Sequence, residues 1–176
     1  MNTVLAFPVL GPALPEIILA AGALVLVLFG AFRGERSTDA MNVIALVLLA
    51  LAFIAVLMLP SVHTETMSGS FVVDSFAKFM KALTLIASAG GVILSMDYMR
   101  REGIARFEYP ILIVLSTIGM LMVISANDLI ALYLGLELLS LSSYVIAAFD
   151  RDNVRSTEAG LKYFVLGALS SGMLLY

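Results

Sequence analysis

Long apolar runs separated by short polar stretches dominate the chain. Runs long enough to cross a bilayer occur at 14–32, 42–60, 77–96, 109–126, 128–149 and 157–176. About 20 mostly apolar residues cross the ~30 Å hydrocarbon layer as a helix. These runs are continuously apolar and rich in Leu, Ala and Ile, without the alternation of a barrel strand. Each is therefore predicted to be a helix, which satisfies its backbone polar groups internally. The connections at 33–41, 61–76, 97–108, Asn127 and 150–156 are polar. The pattern predicts an all-α polytopic membrane protein with residues 1–176 in a single transmembrane domain. The first run follows no basic n-region and flows into Arg33 without a small-x-small cleavage context, so it reads as a retained helix rather than a removable signal.

Positive charge gives these six spans an orientation. Arg33, Arg36, Arg100, Arg101, Arg106, Arg151 and Arg155 fall in the first, third and fifth connections, and no Lys or Arg occupies the second, the fourth or the N-terminal segment. Arginine-bearing loops stay on the cytoplasmic side, which puts the N-terminus outside. Lys78, Lys81 and Lys162 lie in or beside spans instead, and lysine gives up its proton more readily than arginine when desolvated.

Composition agrees with the pattern. Hydrophobic residues make up 61% of the 176 and charged residues 13%, against about 45–50% and about 25% in soluble domains. Lipid is the expected partner. A net charge of -3, with no basic face, does not point to nucleic acid. Without cysteine there is no thiolate metal site or disulfide, and the single His63 excludes a multi-histidine site.

The spans carry chemistry in three places. Glu137 sits within the fifth run, where an ionisable group costs roughly 2.5–3.5 kcal/mol even on the lenient insertion scale. At 100° per residue, Tyr133, Ser140 and Tyr144 share its face within about 60°. A carboxylate flanked by hydroxyls reads as a hydratable proton-handling stripe, or as structural glue between helices. In the sixth run, Lys162 is one to two turns inside the cytoplasmic end and on the order of 10 Å from the height of Glu137. That spacing suits a water-bridged relay. The rival reading is an i,i+4 pair of Glu158 with a snorkelling Lys162. Gly160, Gly167 and Ser171 fall roughly opposite Lys162 and suit close helix packing. At the start of the third run, Asp74, Lys78 and Lys81 share a face, read as a solvated first turn near the outer surface rather than an internal ion pair.

Two segments also resemble a known family. Ser125-Ala-Asn-Asp-Leu-Ile-Ala-Leu-Tyr-Leu-Gly-Leu-Glu137-Leu-Leu-Ser140-Leu-Ser-Ser-Tyr144 is similar to the fifth helix of the antiporter-like membrane subunits of respiratory complex I. Glu158-Ala-Gly-Leu-Lys162-Tyr-Phe-Val-Leu-Gly167 looks like the next helix. The wording most resembles subunit N of bacterial NADH:quinone oxidoreductase, the counterpart of mitochondrial subunit 2. The resemblance implies that Glu137 occupies the position of the essential helix-5 glutamate and Lys162 that of the helix-6 lysine. It also implies a fourteen-helix fold of two inverted repeats, of which this chain resembles the N-terminal part. The implied function is proton translocation coupled to quinone reduction in the bacterial inner membrane. NADH, FMN, iron–sulfur clusters and quinone would belong to partner subunits, with no cofactor or metal in this chain. A Na⁺/H⁺ antiporter subunit, a membrane-bound hydrogenase subunit and a purely structural membrane scaffold remain open alternatives.

Overall fold

The computed structural model describes residues 10–34, 38–59 and 63–176, apart from the side chain of Ser68. Arg36 and Pro60, used above for the first loop and the end of the second span, lie outside the described residues. The architecture comprises α1 (Leu14–Arg33), α2 (Thr38–Met58), a small hairpin of β1 (Thr64–Thr66) and β2 (Phe71–Val73), then α3 (Ser75–Arg101), α4 (Glu108–Ser125), α5 (Leu129–Ala147) and α6 (Val154–Leu175). Each expected span coincides with a helix to within a few residues.

The local chemistry explains the boundaries. Pro15 lies in the first turn of α1, where no intrahelical N–H bond is lost. Asp74 caps α3 by accepting from the Ala77 amide at 2.7 Å, and Asp128 caps α5 by accepting from the Ala131 amide at 2.6 Å. The α3 helix ends at Gly103, whose φ of 70° is left-handed. There the Gly103 amide donates to the Arg100 carbonyl and the Ile104 amide to that of Met99, so two of the last carbonyls are satisfied.

Leu19, Leu26, Met41, Leu49, Leu85 and Val114 are among the buried residues with which α1–α4 form one core. Against lipid, helices associate through close packing and polar contacts rather than through expulsion of water. One such contact is buried here: the Thr117 hydroxyl lies 2.8 Å from that of Ser88. The fifth helix packs on α4, and α6 packs on α5. The α4–α5 seam is the tightest. A Cβ added at Gly119 would lie 2.5 Å from the Leu139 backbone nitrogen, and one at Gly135 would lie 3.0 Å from that of Val123.

One expectation is corrected. The second connection was read as a polar loop in an all-α protein, yet β1 and β2 pair antiparallel, Thr64 opposite Val73 and Thr66 opposite Phe71. Their turn needs the positive φ of Met67 (53°) and Gly69 (90°). The hairpin is pinned to the α4–α5 turn, where the Asn127 side chain donates to the Gly69 carbonyl at 2.7 Å and the Asn127 amide to that of Ser70 at 2.9 Å. Among the described residues, α1–α5 are long and apolar enough to cross a bilayer. The sixth helix is present, with Glu158 and Lys162 in its first half.

The clasp between hairpin and α5 has a pH signature. The Ser70 hydroxyl, and then the Ala131 amide, hydrogen-bond Asp128 and hold its carboxyl below the usual carboxylate range. With the folded value depressed, this contribution is present above the unfolded pKa and is lost as pH falls through the folded one. Protection of the Ala131 amide, its exchange measured against the intrinsic rate at each pH, is therefore expected to fall on acidification through that window. In Asp128→Ala that protection should be low at every pH.

Candidate functional site

The position of Glu137 follows from the packing of α5. Gly135 turns toward α4 and must stay bare for the two backbones to touch. Two residues further on, at about 200° around the helix, Glu137 points away from α4 and toward α6. There the Ser171 hydroxyl donates to Glu137 Oε1. The same hydroxyl lies 3.2 Å from that of Tyr133, one turn below Glu137 on α5. A half-buried carboxylate thus sits with two hydroxyls at the seam of α5 and α6.

The small-residue stripe of α6 is the face that makes this seam. Gly160 lies against Ala148, and Gly167 accommodates the Tyr144 ring, whose hydroxyl would collide with any Cβ there. Tyr144 is buried edge-on against Tyr163 and Phe164, with ring centroids 4.8 and 5.8 Å away. Of the hydroxyl stripe read from the sequence, Tyr133 therefore joins the carboxylate and Tyr144 is a packing residue. Ser140 is half-buried on the same helix. Ser171 was read as a packing residue, and its place beside Glu137 was not foreseen. Its i,i+4 spacing from Gly167 was the available signal, because whatever follows Gly167 on that face must meet α5.

Lys162 lies on the far side of α6. Its ammonium is 2.5 Å from Glu158 Oε1, one turn earlier, and both side chains are largely exposed. Surface i,i+4 pairs of this kind contribute about 0.3–0.5 kcal/mol.

The three charged residues opening α3 separate into different tasks. Asp74 is the helix cap. Lys78 Nζ donates to the Leu57 and Leu59 carbonyls at 2.9 and 2.6 Å, where a cation meets the negative end of α2. Lys81 corrects the solvated-turn reading. Its side chain is 0% exposed, and Nζ is 2.7 Å from Oε1 of Glu16, itself 9% exposed. The Phe71 ring covers the ammonium, with its centroid 4.8 Å away. Glu16 went unremarked in the sequence, although it is the only charge in the interior of the first apolar run. Among the described residues, no group of three or more His, Cys, Asp or Glu is placed to hold a metal ion.

The chain is similar to known proteins. The family described as NADH:quinone oxidoreductase/Mrp antiporter, TM, matches residues 126–176, which contain the α5–α6 seam. NADH-quinone oxidoreductase subunit N of Methylobacterium nodulans is 63% identical over 98% of the chain, and that of Parvibaculum lavamentivorans is 55% identical over 99%. The chain spans 36% of the length of each of these relatives. Among solved structures, a chain of respiratory complex I from Thermus thermophilus with bound aureothin superposes with a TM-score of 0.77 at 28% identity. The match covers 92% of this chain and 35% of that one.

Proposed function

Because the chain belongs to the family of NADH-quinone oxidoreductase subunit N, we propose that it is part of a proton-translocating membrane subunit of that complex. The observation that carries this reading is Glu137, a carboxylate turned into the α5–α6 seam between the hydroxyls of Ser171 and Tyr133. A carboxylate at membrane depth beside hydroxyls takes up a proton when its surroundings are apolar and releases it when a cation or water approaches. Glu137 alternates between these states, and Lys162 passes protons between the arginine-bearing end and the centre. On this reading the arginine end is cytoplasmic, the N-terminus lies outside, six spans cross the bacterial inner membrane, and the remaining helices of an inverted-repeat fold complete the pathway. Partner membrane subunits surround it. Elsewhere in the complex NADH, FMN, iron–sulfur clusters and quinone carry the redox chemistry, whose energy reaches this subunit through conformational or electrostatic change.

The test is NADH-driven proton uptake in sealed vesicles from cells carrying the full-length subunit, with Glu137 neutralised and assembly measured on the same sample. Lys162→Gln is a milder companion. It removes only a surface ion pair, so assembly is expected to stay intact while the initial pumping rate falls severalfold. An unchanged rate would leave the Glu158–Lys162 pair a structural one. The matched family description also names Mrp antiporters, which supports a second reading as a cation/proton antiporter. Proton flux driven by a Na⁺ gradient without NADH would favour it.

A further inference from the structure

Each hydroxyl in the α5–α6 seam has a single proton, and the placement of those protons gives the seam a direction. An ionised carboxylate only accepts hydrogen bonds, whereas a serine or tyrosine hydroxyl donates one and accepts up to two. Ser171 directs its one proton to Glu137 Oε1. The 3.2 Å contact between the Ser171 and Tyr133 hydroxyls must then be filled from the tyrosine side. The hydrogen bonds therefore run from Tyr133 to Ser171 to Glu137. All three side chains are half-buried, so the chain is neither sealed in the core nor open to its surroundings along its whole length.

We propose that Ser171 and Tyr133 are positioning residues for Glu137, a chain of hydroxyls whose direction reverses when the carboxylate binds a proton. The purpose of this device rests on the reading of Glu137 as the proton carrier. When a proton binds at Oε1, the carboxyl O–H becomes a donor and Ser171 Oγ its acceptor. The Ser171 proton swings to the Tyr133 oxygen, and the phenol O–H turns away from Ser171. Only the new carboxyl O–H bond forms, and no bond breaks. Both contacts survive in both states, so the seam holds the charged and the neutral carboxyl without moving a heavy atom. Tyr133 registers the charge of Glu137 through Ser171.

The other ionisable groups on α4, α5 and α6 are placed elsewhere. Glu158 and Lys162 pair with each other, and Tyr144 packs on Tyr163. Glu108 and Tyr109 begin α4 at the arginine-bearing end. Asp128 caps α5, Arg155 lies in the first turn of α6, and Tyr176 follows its last turn.

The deciding experiment is infrared difference spectroscopy of the full-length subunit in its membrane, acidified without NADH. A carboxylic-acid stretch lost in Glu137→Gln should grow together with a shift of a tyrosine C–O stretch lost in Tyr133→Phe, because that mode depends on whether the phenol donates or accepts. Ser171→Ala, which keeps the size of the side chain, should retain the acid band and abolish the tyrosine shift. A tyrosine shift that persists in Ser171→Ala, or that never accompanies the acid band, would overturn the proposal. Pumping supplies a second readout. Ser171→Ala should slow NADH-driven proton uptake by about tenfold, the scale of one hydrogen bond to a charged group, with normal assembly. Tyr133→Phe should slow uptake when Ser171 is present and change nothing in the Ser171→Ala background, because the link to Glu137 is already cut. Equal effects of Tyr133→Phe in both backgrounds would mark two independent packing residues and overturn the chain. Failure of the translocation reading would show instead as normal uptake in Glu137→Gln with the infrared coupling intact.

Discussion

Glu137→Gln is expected to eliminate this subunit's contribution to NADH-driven proton uptake while the complex assembles at normal levels. The substitution keeps the shape of the side chain, and its amide oxygen still accepts from Ser171. Stability should therefore move by no more than about 1 kcal/mol, the scale of one hydrogen bond. Relieving an ionisable group at membrane depth acts in the opposite direction. What the amide cannot do is take a proton and give it back. Glu137→Leu is the informative contrast. It removes the acceptor as well, leaves the Ser171 and Tyr133 hydroxyls facing an apolar side chain, and adds about 1–3 kcal/mol of destabilisation for the unpaired groups. The first variant should fail in pumping alone, the second in pumping and assembly. Normal proton stoichiometry in Glu137→Gln would sink the assignment and leave the carboxylate a helix-packing group.

The largest structural effect is expected at Gly119. Its missing Cβ would lie 2.5 Å from the Leu139 nitrogen and 2.9 Å from the Gly135 oxygen. Both are backbone atoms, so no rotamer change relieves the clash and the two helices must move apart. Overpacking costs typically 1–3 kcal/mol, and Gly119→Leu forces several further atoms into the seam. We expect it to lower the thermal midpoint of the solubilised subunit and the amount of assembled complex. Gly91→Ala is the matched control. That position lies mid-helix in α3 with nothing within 4 Å of an added Cβ. The exchange should be neutral or stabilise by up to about 1 kcal/mol through helix propensity. Equal behaviour of the two variants in a melting experiment would refute the close α4–α5 contact.

The helices were legible because their signal is continuous. Each run is predominantly apolar along its length, and charged or polar residues cluster in the connections between runs. The hairpin was not, since Thr64–Thr66 and Phe71–Val73 are three residues each, too short for any alternation to register. That omission explains the misreading of Lys81. Two turns into a helix is a depth from which lysine ordinarily reaches water, but the hairpin folds over the end of the bundle and lays Phe71 across the path. The face bearing Glu137 could be read from helical periodicity alone. Its partner could not, because Ser171 lies 34 residues away and only the rotation of α6, set by Gly160 and Gly167, brings it there.

The arrangement of α6 has a mechanical consequence. The body of the molecule is the α1–α4 core with α5 riveted to it by two bare glycines, whereas α6 rests on α5 through a groove of small residues and the Tyr144 ring. Glu137 is therefore bonded across the α5–α6 joint. A slide of α6 along α5 by a fraction of a turn withdraws Ser171 from the carboxylate. On the proposed function, the carboxylate that takes up the proton is also the group that first registers a displacement of α6.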